Sequence, residues 1–328
     1  MIISRTPLRI SFFGGGTDYP EYFGNHGGQA LSTTIQKYTY ITVKRVDPIL
    51  NFNYRVSYSI LESCKELAEI KHPSVRECIR YLKIPYGIEV HIATDLPART
   101  GLGSSSSFTV GFLRSLYALL NKEVSKEQLA SEAVHVEQQM IRERVGVQDQ
   151  YAAAYGGLNH YQFHKDGKID VHPVQISADR LNELEKHLML FYTGVARTAH
   201  EILGEQLEKT KKGDNDGELK KIHQTVTDAV SVLTGKGDLR EFGKLLHATW
   251  ESKRKLSSAV TNSDLDKMYE AARKAGAIGG KLLGAGGGGF FLFVVEKQNQ
   301  DEVRNALKGY FEVEVKFESE GSRIIYKM

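Results

Sequence analysis

The sequence predicts an α+β protein of two lobes, in which helices pack on mixed sheets. Its 328 residues are enough for two ordinary domains or for one large two-lobed unit. Segments with strand and helix periodicity alternate in both halves of the chain, and no internal repeat is evident. We expect an N-terminal domain over residues 1–180 and a C-terminal domain over residues 181–328.

The first half contains three predicted strands followed by two helices. Residues 2–13 and 38–46 are rich in β-branched and aromatic residues, and residues 87–95 alternate between apolar and polar. From Ser105 onward, apolar residues recur at helical intervals. A second helix is predicted after Ser125, an N-cap whose capping box is completed by the glutamine three residues later.

The second half is richer in helix. A strand is predicted at residues 187–194, and three or four amphipathic helices follow between residues 198 and 275. A charged connection at residues 208–221 interrupts these helices. A glycine-rich turn then leads into an apolar strand that ends at residue 295, and a helix and the alternating strand 311–318 close the chain.

Composition narrows the class of protein. Hydrophobic residues make up 41% and charged residues 25%, the balance of a soluble globular protein. The 43 basic and 40 acidic residues leave a net charge of +3, too small for a nucleic-acid or membrane-surface protein. Cys64 and Cys78 belong to no disulfide framework or zinc motif. Since no apolar run approaches ~20 residues and no signal-peptide pattern is evident, we expect a cytoplasmic protein.

The stretch DLPARTGLGSSSSF (residues 95–108) lies between a predicted strand and a predicted helix, so it is not a linker. A glycine-rich loop at a helix N-terminus presents several backbone N–H groups and the positive end of the helix dipole to one point. Gly101 and Gly103 permit close backbone approach, and the serine hydroxyls can cap the helix or bind a hard cation. The loop predicts phosphate binding, with a purely structural serine-capped helix as the alternative.

Two common nucleotide-binding patterns do not fit. A P-loop requires Gly-Lys followed by Ser or Thr, but Gly167-Lys168 and Gly280-Lys281 are followed by Ile169 and Leu282. A dinucleotide-binding fingerprint requires a helix after its glycines, but GAGGGG (residues 284–289) leads into a strand. This cluster also has more glycines than one tight turn needs.

Three acidic residues are candidates for a role in catalysis. Asp18 follows three glycines in FFGGGTDY, where it can accept hydrogen bonds from substrate hydroxyls or simply form an Asp-containing turn. Asp149 lies in a small and apolar run, where an unpaired carboxylate would be costly, so a polar or catalytic partner is expected. Together with Glu137 it can supply the two acids that phosphoryl transfer from ATP requires, although acids on helices are usually solvated.

The order of these motifs resembles that of the GHMP kinase superfamily, named for galactokinase, homoserine kinase, mevalonate kinase and phosphomevalonate kinase. TPLRISFFGGGTDY resembles the first family motif, LPARTGLGSSSSF the ATP-phosphate loop, and GGKLLGAGGGG the third motif. GVQDQYAAAYGG is similar to the galactokinase segment that carries the catalytic aspartate. The resemblance spans residues 5 to about 293, and it implies a two-lobed fold with the active site in the cleft between the lobes.

The resemblance also implies roles for individual residues, with ATP and Mg²⁺ as cofactors. Asp149 would orient or deprotonate the sugar hydroxyl, and Arg9 would lie beside the transferred phosphoryl group. Glu137 and Ser105 would bind Mg²⁺, with Ser104 as the rival of Ser105. The residues expected at the ATP phosphates are Gly101, Leu102, Gly103, Ser104, Ser105 and Ser106.

The chain departs from galactokinases at Gly15 and Gly16, where those enzymes carry Glu-His. We expect the missing side chains to leave room for a different or larger sugar. This form resembles the branch that contains D-glycero-D-manno-heptose 7-phosphate kinases and, more distantly, fucokinases. A sugar that already carries a phosphate needs cationic recognition. The residues expected around the substrate are Gly15, Gly16, Thr17, Asp18, His26, Arg99, Thr193, Arg197, Lys281, Gly286 and Gly287.

The activity implied is ATP-dependent phosphorylation of the anomeric C1 hydroxyl of heptose 7-phosphate, giving the 1,7-bisphosphate for synthesis of nucleotide-activated heptose. The alternatives are a fucokinase or another kinase of an unphosphorylated sugar, and a GHMP-fold sugar sensor without catalysis. Retention of Arg9, Glu137 and Asp149 together with Ser105 argues against the sensor. The expected partner is a small sugar phosphate, with no nucleic acid or membrane, and the chain is expected to be a monomer or homodimer.

Overall fold

A computed structural model describes residues 1–195, 199–235 and 237–328. It contains a large sheet, a small sheet and helices packed on both. The strands are β1 (Ile2–Phe13), β2 (Gly28–Arg45), β3 (Tyr54–Ser57), β4 (Leu61–Cys64), β5 (Ile88–Thr94), β6 (Leu158–Phe163), β7 (Ile169–Pro173), β8 (Leu188–Tyr192), β9 (Ala277–Leu282), β10 (Phe290–Val295), β11 (Phe311–Val313), β12 (Phe317–Glu318) and β13 (Arg323–Lys327).

The helices are α1 (Pro20–His26), α2 (Pro73–Tyr81), α3 (Ser104–Leu119), α4 (Lys126–His135), α5 (Gln148–Tyr155), α6 (Ala178–His187), α7 (Ala199–Lys211), α8 (Asp216–Thr234), α9 (Arg240–Lys253), α10 (Ser263–Lys274) and α11 (Gln300–Ala306). Short 3₁₀ turns lie at Leu67–Glu69 and Lys297–Asn299, and a π-helical turn at Val136–Ile141 extends α4. None of the helices in the described part of the chain combines the length and apolar character needed to cross a bilayer.

The large sheet is organised around the long strand β2. On one side β2 pairs antiparallel with β1, and on the other it pairs with β5 and then with β6. The sheet continues from β5 through β3, which is parallel to it, to β4 at the edge. The strands predicted at residues 2–13 and 87–95 are confirmed as β1 and β5, whereas the strand predicted at residues 38–46 is only the second part of β2, which begins at Gly28.

The small sheet has the antiparallel order β11-β8-β10-β9. Its central strand β10, with the sequence FFLFVV, is buried on both faces, which explains why its apolar run does not alternate. Four helices, α7 to α10, lie between β8 and β9 in the chain, as the amphipathic pattern predicts. The charged connection is shorter than predicted, because α7 runs to Lys211 and α8 begins at Asp216.

The alternating segment 311–318 is not one strand, as predicted, but two. β11 pairs with β8 in the small sheet, whereas β12 pairs with β2 in the large sheet. β13 then pairs with β1, so the end of the chain returns to the N-terminal lobe. We propose that the chain passes from the N-terminal lobe to the C-terminal lobe near residue 180. We also propose that residues 317–327 belong to the N-terminal lobe.

The N-termini of α3 and α4 form as the sequence predicts, with one difference. Ser125 caps α4 by accepting a hydrogen bond from the backbone N–H of Gln128 at 3.0 Å. The predicted capping box is only half formed, because the Gln128 side chain donates to Tyr117 and Glu132 instead. The residue before α3 is Gly103, in the left-handed conformation with φ of 73°.

Candidate active site

A cleft of about 1180 Å³ lies between the two lobes. The N-terminal lobe contributes the end of β1, the glycine turn after it, the first turn of α3 and the loop before α5. The C-terminal lobe contributes α7, the end of α9, β9 and the glycine loop that follows β9. The predicted motifs therefore meet at one place.

Arg9 and Asp149 form an ion pair on the wall of the cleft. β1 carries Arg9, and Asp149 lies in the first turn of α5. Nε and Nη2 of Arg9 donate to the two carboxylate oxygens of Asp149 at 2.8 and 2.7 Å. The remaining nitrogen, Nη1, donates to the carbonyl of Gly101 at 2.5 Å. The expected polar partner of Asp149 is thus an arginine that is fixed on both sides.

The phosphate loop lies directly against this pair. A Cβ atom on Gly103 would lie 3.1 Å from Cγ of Arg9 and 3.4 Å from Oδ2 of Asp149, at a backbone φ that favours glycine. The backbone N–H of Arg9 donates to the carbonyl of Leu102 at 3.0 Å. Glycine at position 103 therefore allows the helix N-terminus to approach the carboxylate closely.

The two glycine-rich loops pack backbone against backbone. A Cβ atom on Gly101 would lie 2.4 Å from the carbonyl oxygen of Leu283, and one on Gly284 would lie 2.4 Å from Cα of Gly101. A Cβ on Gly289 would lie 2.3 Å from the carbonyl oxygen of Thr100. This contact between loops accounts for Gly284 and Gly289 of the third cluster, whereas Gly286 and Gly288 lie against the backbone of Val260 and Val195.

Glu137 lies in the π-helical turn beneath the phosphate loop and is fully buried. Its Oε2 accepts hydrogen bonds from Ser106 Oγ, at 2.9 Å, and from the side-chain amide of Gln150. Its Oε1 has no hydrogen-bond partner within residues 1–195, 199–235 and 237–328. Burial raises the pKa of this carboxyl to about 7, against the opposing effect of Thr109, Gln150 and Ser106, so the Thr109 hydroxyl also lies close to the carboxylate. A buried carboxylate oxygen without a partner is a natural ligand for a cation.

These residues fit Mg²⁺, which proteins bind through one or two carboxylates together with substrate phosphates. The described residues contain no group of three or more His, Cys, Asp or Glu that could form an all-protein metal site. Ser106, rather than the predicted Ser105, donates to Glu137. Ser105 is exposed on the surface of the same cleft and remains a predicted ligand. The hydroxyl of Ser107 points away, since it donates to the carbonyl of Thr6 at 3.2 Å.

Asp18 lies on the cleft wall and is 6% exposed. Its Oδ1 accepts a hydrogen bond from the backbone N–H of Gly16 at 3.0 Å. Burial, and then the nearby charge of Asp149, raise the pKa of Asp18 to about 6. Gly146 is required beside it, because a Cβ there would lie 1.9 Å from Oδ2 of Asp18. The carboxylates of Asp18, in the turn after β1, and of Asp149, in the first turn of α5, therefore both line the cleft.

Gly15 and Gly16 both line the cleft, but the space around them differs. The nearest atom to a Cβ on Gly15 would be Ser11 Oγ, 4.0 Å away. A Cβ on Gly16 would lie 2.9 Å from Leu219 and 3.3 Å from Gln206, both in the C-terminal lobe. The room predicted for a larger sugar therefore exists at Gly15, whereas side chains of the other lobe fill the space beside Gly16.

Two buried lysines reach the cleft from the C-terminal lobe. Lys281 Nζ donates to the carbonyl of Phe12 at 3.0 Å, and burial and then Arg9 lower its pKa to about 7. Lys253 Nζ donates to the carbonyls of Leu282, at 2.7 Å, and Gly284. Burial, followed by the charges of Lys281 and Arg9, lowers its pKa well below the usual range.

The sequence motifs predict Lys281 as a residue of the site but do not predict Lys253. One signal could have found it. Leu246, Trp250 and Lys253 follow the i, i+4, i+7 spacing of one helix face, and the first two are fully buried. A lysine on the apolar face of an amphipathic helix needs a reason to be there.

Several predicted substrate residues lie elsewhere. His26 is exposed, is paired with Asp216 at 3.3 Å and does not line the cleft. Thr17 is fully buried, and its hydroxyl bonds to the carbonyls of Gly14 and Gln29 instead. The Thr193 hydroxyl hydrogen-bonds with the backbone of Gly289.

Of the residues predicted in the glycine loop and of the predicted arginines, some line the cleft and others do not. Gly286 lines the cleft, whereas Gly287 donates its N–H to the carbonyl of Val260 at 2.8 Å. Arg99 is exposed at the rim of the cleft, with its backbone N–H 3.3 Å from Ser104 Oγ. Arg197 lies outside the described residues.

The cleft also has lining residues that the sequence did not reveal. Arg144 and Gln206 lie near the glycine turn, on a loop and a helix without a recognisable motif. An aromatic wall of the cleft is formed by Tyr58, His72 and Phe108, with ring centroids 5.0 and 4.8 Å apart. Tyr58 and His72 come from a segment of the sequence that carries no motif.

Comparison with known proteins gives a consistent result. Residues 71–157 match the GHMP kinases N terminal domain, and residues 230–313 match the GHMP kinases C terminal domain. The chain is similar to the D-glycero-alpha-D-manno-heptose 7-phosphate kinase of Campylobacter jejuni, with 31% identity over 94% of this chain and 93% of that protein. It is also similar to a bifunctional fucokinase/GDP-fucose pyrophosphorylase of Arabidopsis thaliana, with 25% identity over 94% of this chain but 31% of the relative.

Among solved structures, the chain is similar to a D-glycero-D-manno-heptose 1-phosphate kinase from Bacteroides thetaiotaomicron. The two share 26% of their sequence, the TM-score is 0.82, and the match covers 100% of this chain and 99% of the other. The similarity extends over both lobes, so it includes every element that lines the cleft.

Proposed function

The chain belongs to the GHMP kinase family and is an ATP-dependent phosphotransferase with an alcohol acceptor, and we propose that it phosphorylates the C1 hydroxyl of D-glycero-D-manno-heptose 7-phosphate. The observation that carries this proposal is the Asp149 carboxylate, held by Arg9 beside the N-terminus of the phosphate-loop helix. A hydroxyl bound at Asp149 would face phosphates bound at that helix.

The chemical step is an in-line displacement at the γ-phosphorus of ATP. The C1 oxygen forms the new bond to phosphorus while the bond from phosphorus to the β,γ-bridging oxygen breaks, and ADP leaves with that electron pair. The hydroxyl proton passes to Asp149, which lies at the wall of the site. Arg9 and the N–H groups at the start of α3 stabilise the charge on the phosphoryl oxygens.

Mg²⁺ bound with ATP would neutralise part of the phosphate charge. We propose that Glu137 and Ser105 hold this ion. The buried Oε1 of Glu137, which has no hydrogen-bond partner among the described residues, supports the role of Glu137 as a ligand of this ion. The hydrogen bond from Ser106 to the other carboxylate oxygen would keep Glu137 oriented toward the ion.

The aromatic wall of Tyr58, His72 and Phe108 is our candidate for the adenine site. Adenine stacks on aromatic rings, and Phe108 of this wall lies in α3, about one turn after Ser104 at the start of that helix. His72 is mostly buried, and burial lowers its pKa, so the ring presents a neutral face to the base.

A sugar phosphate needs cations, and the sugar end of the cleft supplies them. Lys281 lies beside the glycine turn through its bond to Phe12, while Arg144 and Arg99 lie at the more exposed part of the cleft. The open space at Gly15 would accommodate the side chain of a heptose. These features support a substrate that is larger than a hexose and negatively charged.

A substrate panel tests the proposal. ADP formation should be measured with heptose 7-phosphate, heptose 1-phosphate, mannose, fucose and galactose, because the two similar heptose kinases are named for substrates that carry the phosphate at different carbons. We expect heptose 7-phosphate to have the highest kcat/KM. Phosphorus NMR of the product should show a new signal from a phosphate group on C1. The absence of turnover with heptose 7-phosphate would overturn it, whether the enzyme then accepts heptose 1-phosphate or only free sugars.

The similarity to the Arabidopsis fucokinase keeps a kinase of an unphosphorylated sugar as the second candidate. The same panel separates the two, since fucose would then be the preferred acceptor. A sensor without catalysis would bind ATP and sugar but produce no ADP.

A further inference from the structure

We propose that Lys253 is a further catalytic residue, whose ammonium group binds the phosphoryl group as it passes from ATP to the sugar. Lys253 is the last residue of α9 and is 8% exposed, yet it lines the cleft. The inference rests on the phosphotransferase activity and not on the identity of the sugar.

Lys253 has no anionic partner of its own. Its two hydrogen bonds go to the neutral carbonyls of Leu282 and Gly284, and no carboxylate within the described ranges pairs with it. A buried ammonium group is costly unless an anion compensates its charge. The anion that the cleft is built to receive is a phosphate, so the ligand would supply the missing partner.

A short chain of contacts places Lys253 at the phosphate loop. Nη1 of Arg9 donates to the carbonyl of Gly101. Gly101 lies against Gly284, where a Cβ atom would come within 2.4 Å. The carbonyl of Gly284 in turn accepts a hydrogen bond from Lys253 Nζ. The guanidinium and the ammonium therefore approach the phosphate loop through successive backbone groups.

Arg9 does not supply an unpaired positive charge beside the phosphate loop. Arg9 is held by both oxygens of Asp149, so its charge is largely balanced in the free protein. Lys253, by contrast, has no carboxylate among the causes of its pKa shift, and its pKa is lowered by burial and then by the positive charges of Lys281 and Arg9. Because the phosphoryl group in transit spreads its negative charge over three oxygens, it would favour the protonated form of Lys253, and the ammonium group would in turn stabilise it.

Lys281 belongs to a different part of the site. It bonds to the carbonyl of Phe12, two residues before the glycine turn, and the charge of Asp18 acts on it. It is therefore placed toward the sugar, whereas Lys253 is placed toward the junction of the two glycine loops. The two lysines should consequently give different kinetic signatures when they are replaced.

The test compares Lys253→Met with Lys255→Met, an exposed lysine two residues further on. With every sugar that the wild type phosphorylates, Lys253→Met should lower kcat about 100-fold and change KM for ATP and sugar by less than about threefold. Lys255→Met should behave as the wild type. A kcat within about threefold of the wild type, or a loss confined to the KM of phosphorylated sugars, would overturn the proposal.

A binding measurement separates charge stabilisation from a structural role in the loop. Calorimetry should compare ADP alone with ADP, sugar and aluminium fluoride, which imitates the phosphoryl group in transit. In Lys253→Met we expect ADP to bind as in the wild type and the aluminium fluoride complex to weaken by about 100-fold. If both weaken equally, Lys253 only holds the glycine loop and the proposal fails. An error in the identity of the sugar would instead appear in the wild-type panel.

Discussion

The guanidinium of Arg9 donates two hydrogen bonds, of 2.8 and 2.7 Å, to the carboxylate of Asp149, and its third nitrogen donates to the carbonyl of Gly101. An arginine–carboxylate pair of this kind fixes the plane of the carboxylate as well as its position. One side of Asp149 is thereby occupied, and its remaining lone pairs face the cleft. The geometry suits a group that orients a hydroxyl rather than one that binds a metal.

Replacing Asp149 with Asn should therefore remove most of the turnover without unfolding the protein. An amide can keep only one of the two bonds to Arg9 and cannot accept the hydroxyl proton, so we expect kcat to fall by about 1000-fold. ATP affinity should be nearly unchanged. Asp166→Asn, an exposed acid, is the matched control. Turnover within about tenfold of the wild type would contradict the assigned role.

We expect the consecutive serines at positions 105 to 107 to have different functions. Ser106→Ala removes the hydrogen bond to Glu137, so we expect a several-fold higher Mg²⁺ concentration for half-maximal activity. Ser105→Ala should also lower activity, because this residue is our proposed Mg²⁺ ligand. Ser107→Ala should leave Mg²⁺ dependence unchanged and cost only about 1 kcal/mol of stability, since its hydroxyl bonds to Thr6. Titration of Mg²⁺ at saturating ATP measures all three, and equal effects at the three positions would refute this division.

The contact between the glycine loops can be tested with two alanine substitutions at similar backbone angles. Gly101 and Gly167 have φ of 84° and 88°, so alanine strains both backbones by about 1 to 2 kcal/mol. A Cβ on Gly101 also meets Leu283, whereas nothing lies within 4 Å of one on Gly167. Gly101→Ala should therefore cost about 1 to 3 kcal/mol more than Gly167→Ala in urea unfolding, and it should abolish activity. Equal losses of stability would show that the loops are not in firm contact.

The sequence predicts the motifs better than it predicts their surroundings. Glycine runs, serine caps and alternating strands are local patterns, so β1, β5 and the start of α3 appear where expected. The pairing of β12 and β13 with the first sheet depends on contacts between residues about 280 to 320 positions apart, and no local pattern encodes it. The two threonines predicted to contact the substrate, Thr17 and Thr193, form hydrogen bonds with backbone groups instead, and neither lines the cleft.

The same limit explains the residues that were missed at the site. Lys253 and Arg144 reach the cleft only because α9 and the loop before α5 are brought there by the fold. Tyr58 and His72 come from a segment whose composition resembles any surface connection. By contrast, Asp149 could be recognised because a lone carboxylate in an apolar run is chemically unusual.

Asp18 should destabilise the folded protein at neutral pH. Its folded pKa of about 6 is higher than the unfolded value of 3.8, so the folded state is favoured at low pH and loses that advantage as pH rises from about 4 to 6. Asp18→Asn should therefore raise the free energy of unfolding by on the order of 3 kcal/mol near pH 8, with little gain near pH 4. Activity should fall sharply, because the amide cannot replace the carboxylate toward sugar hydroxyls. Asp166→Asn is again the control, and a gain that does not depend on pH would contradict this explanation.

Binding of a sugar phosphate should be coupled to proton uptake by Lys281. In the free protein the pKa of Lys281 is lowered to about 7 by burial and by Arg9, against the opposing charge of Asp18, so the amine is mostly neutral near pH 8. A phosphate dianion beside it favours the ammonium form and raises its pKa, and the group then takes up about one proton on binding. Calorimetry in buffers of different ionisation enthalpy, without nucleotide, measures that number. Uptake should disappear in Lys281→Met, with an unphosphorylated sugar, and near pH 6, where the amine is already charged. An unchanged uptake in Lys281→Met would assign the proton to another group and remove Lys281 from the phosphate site.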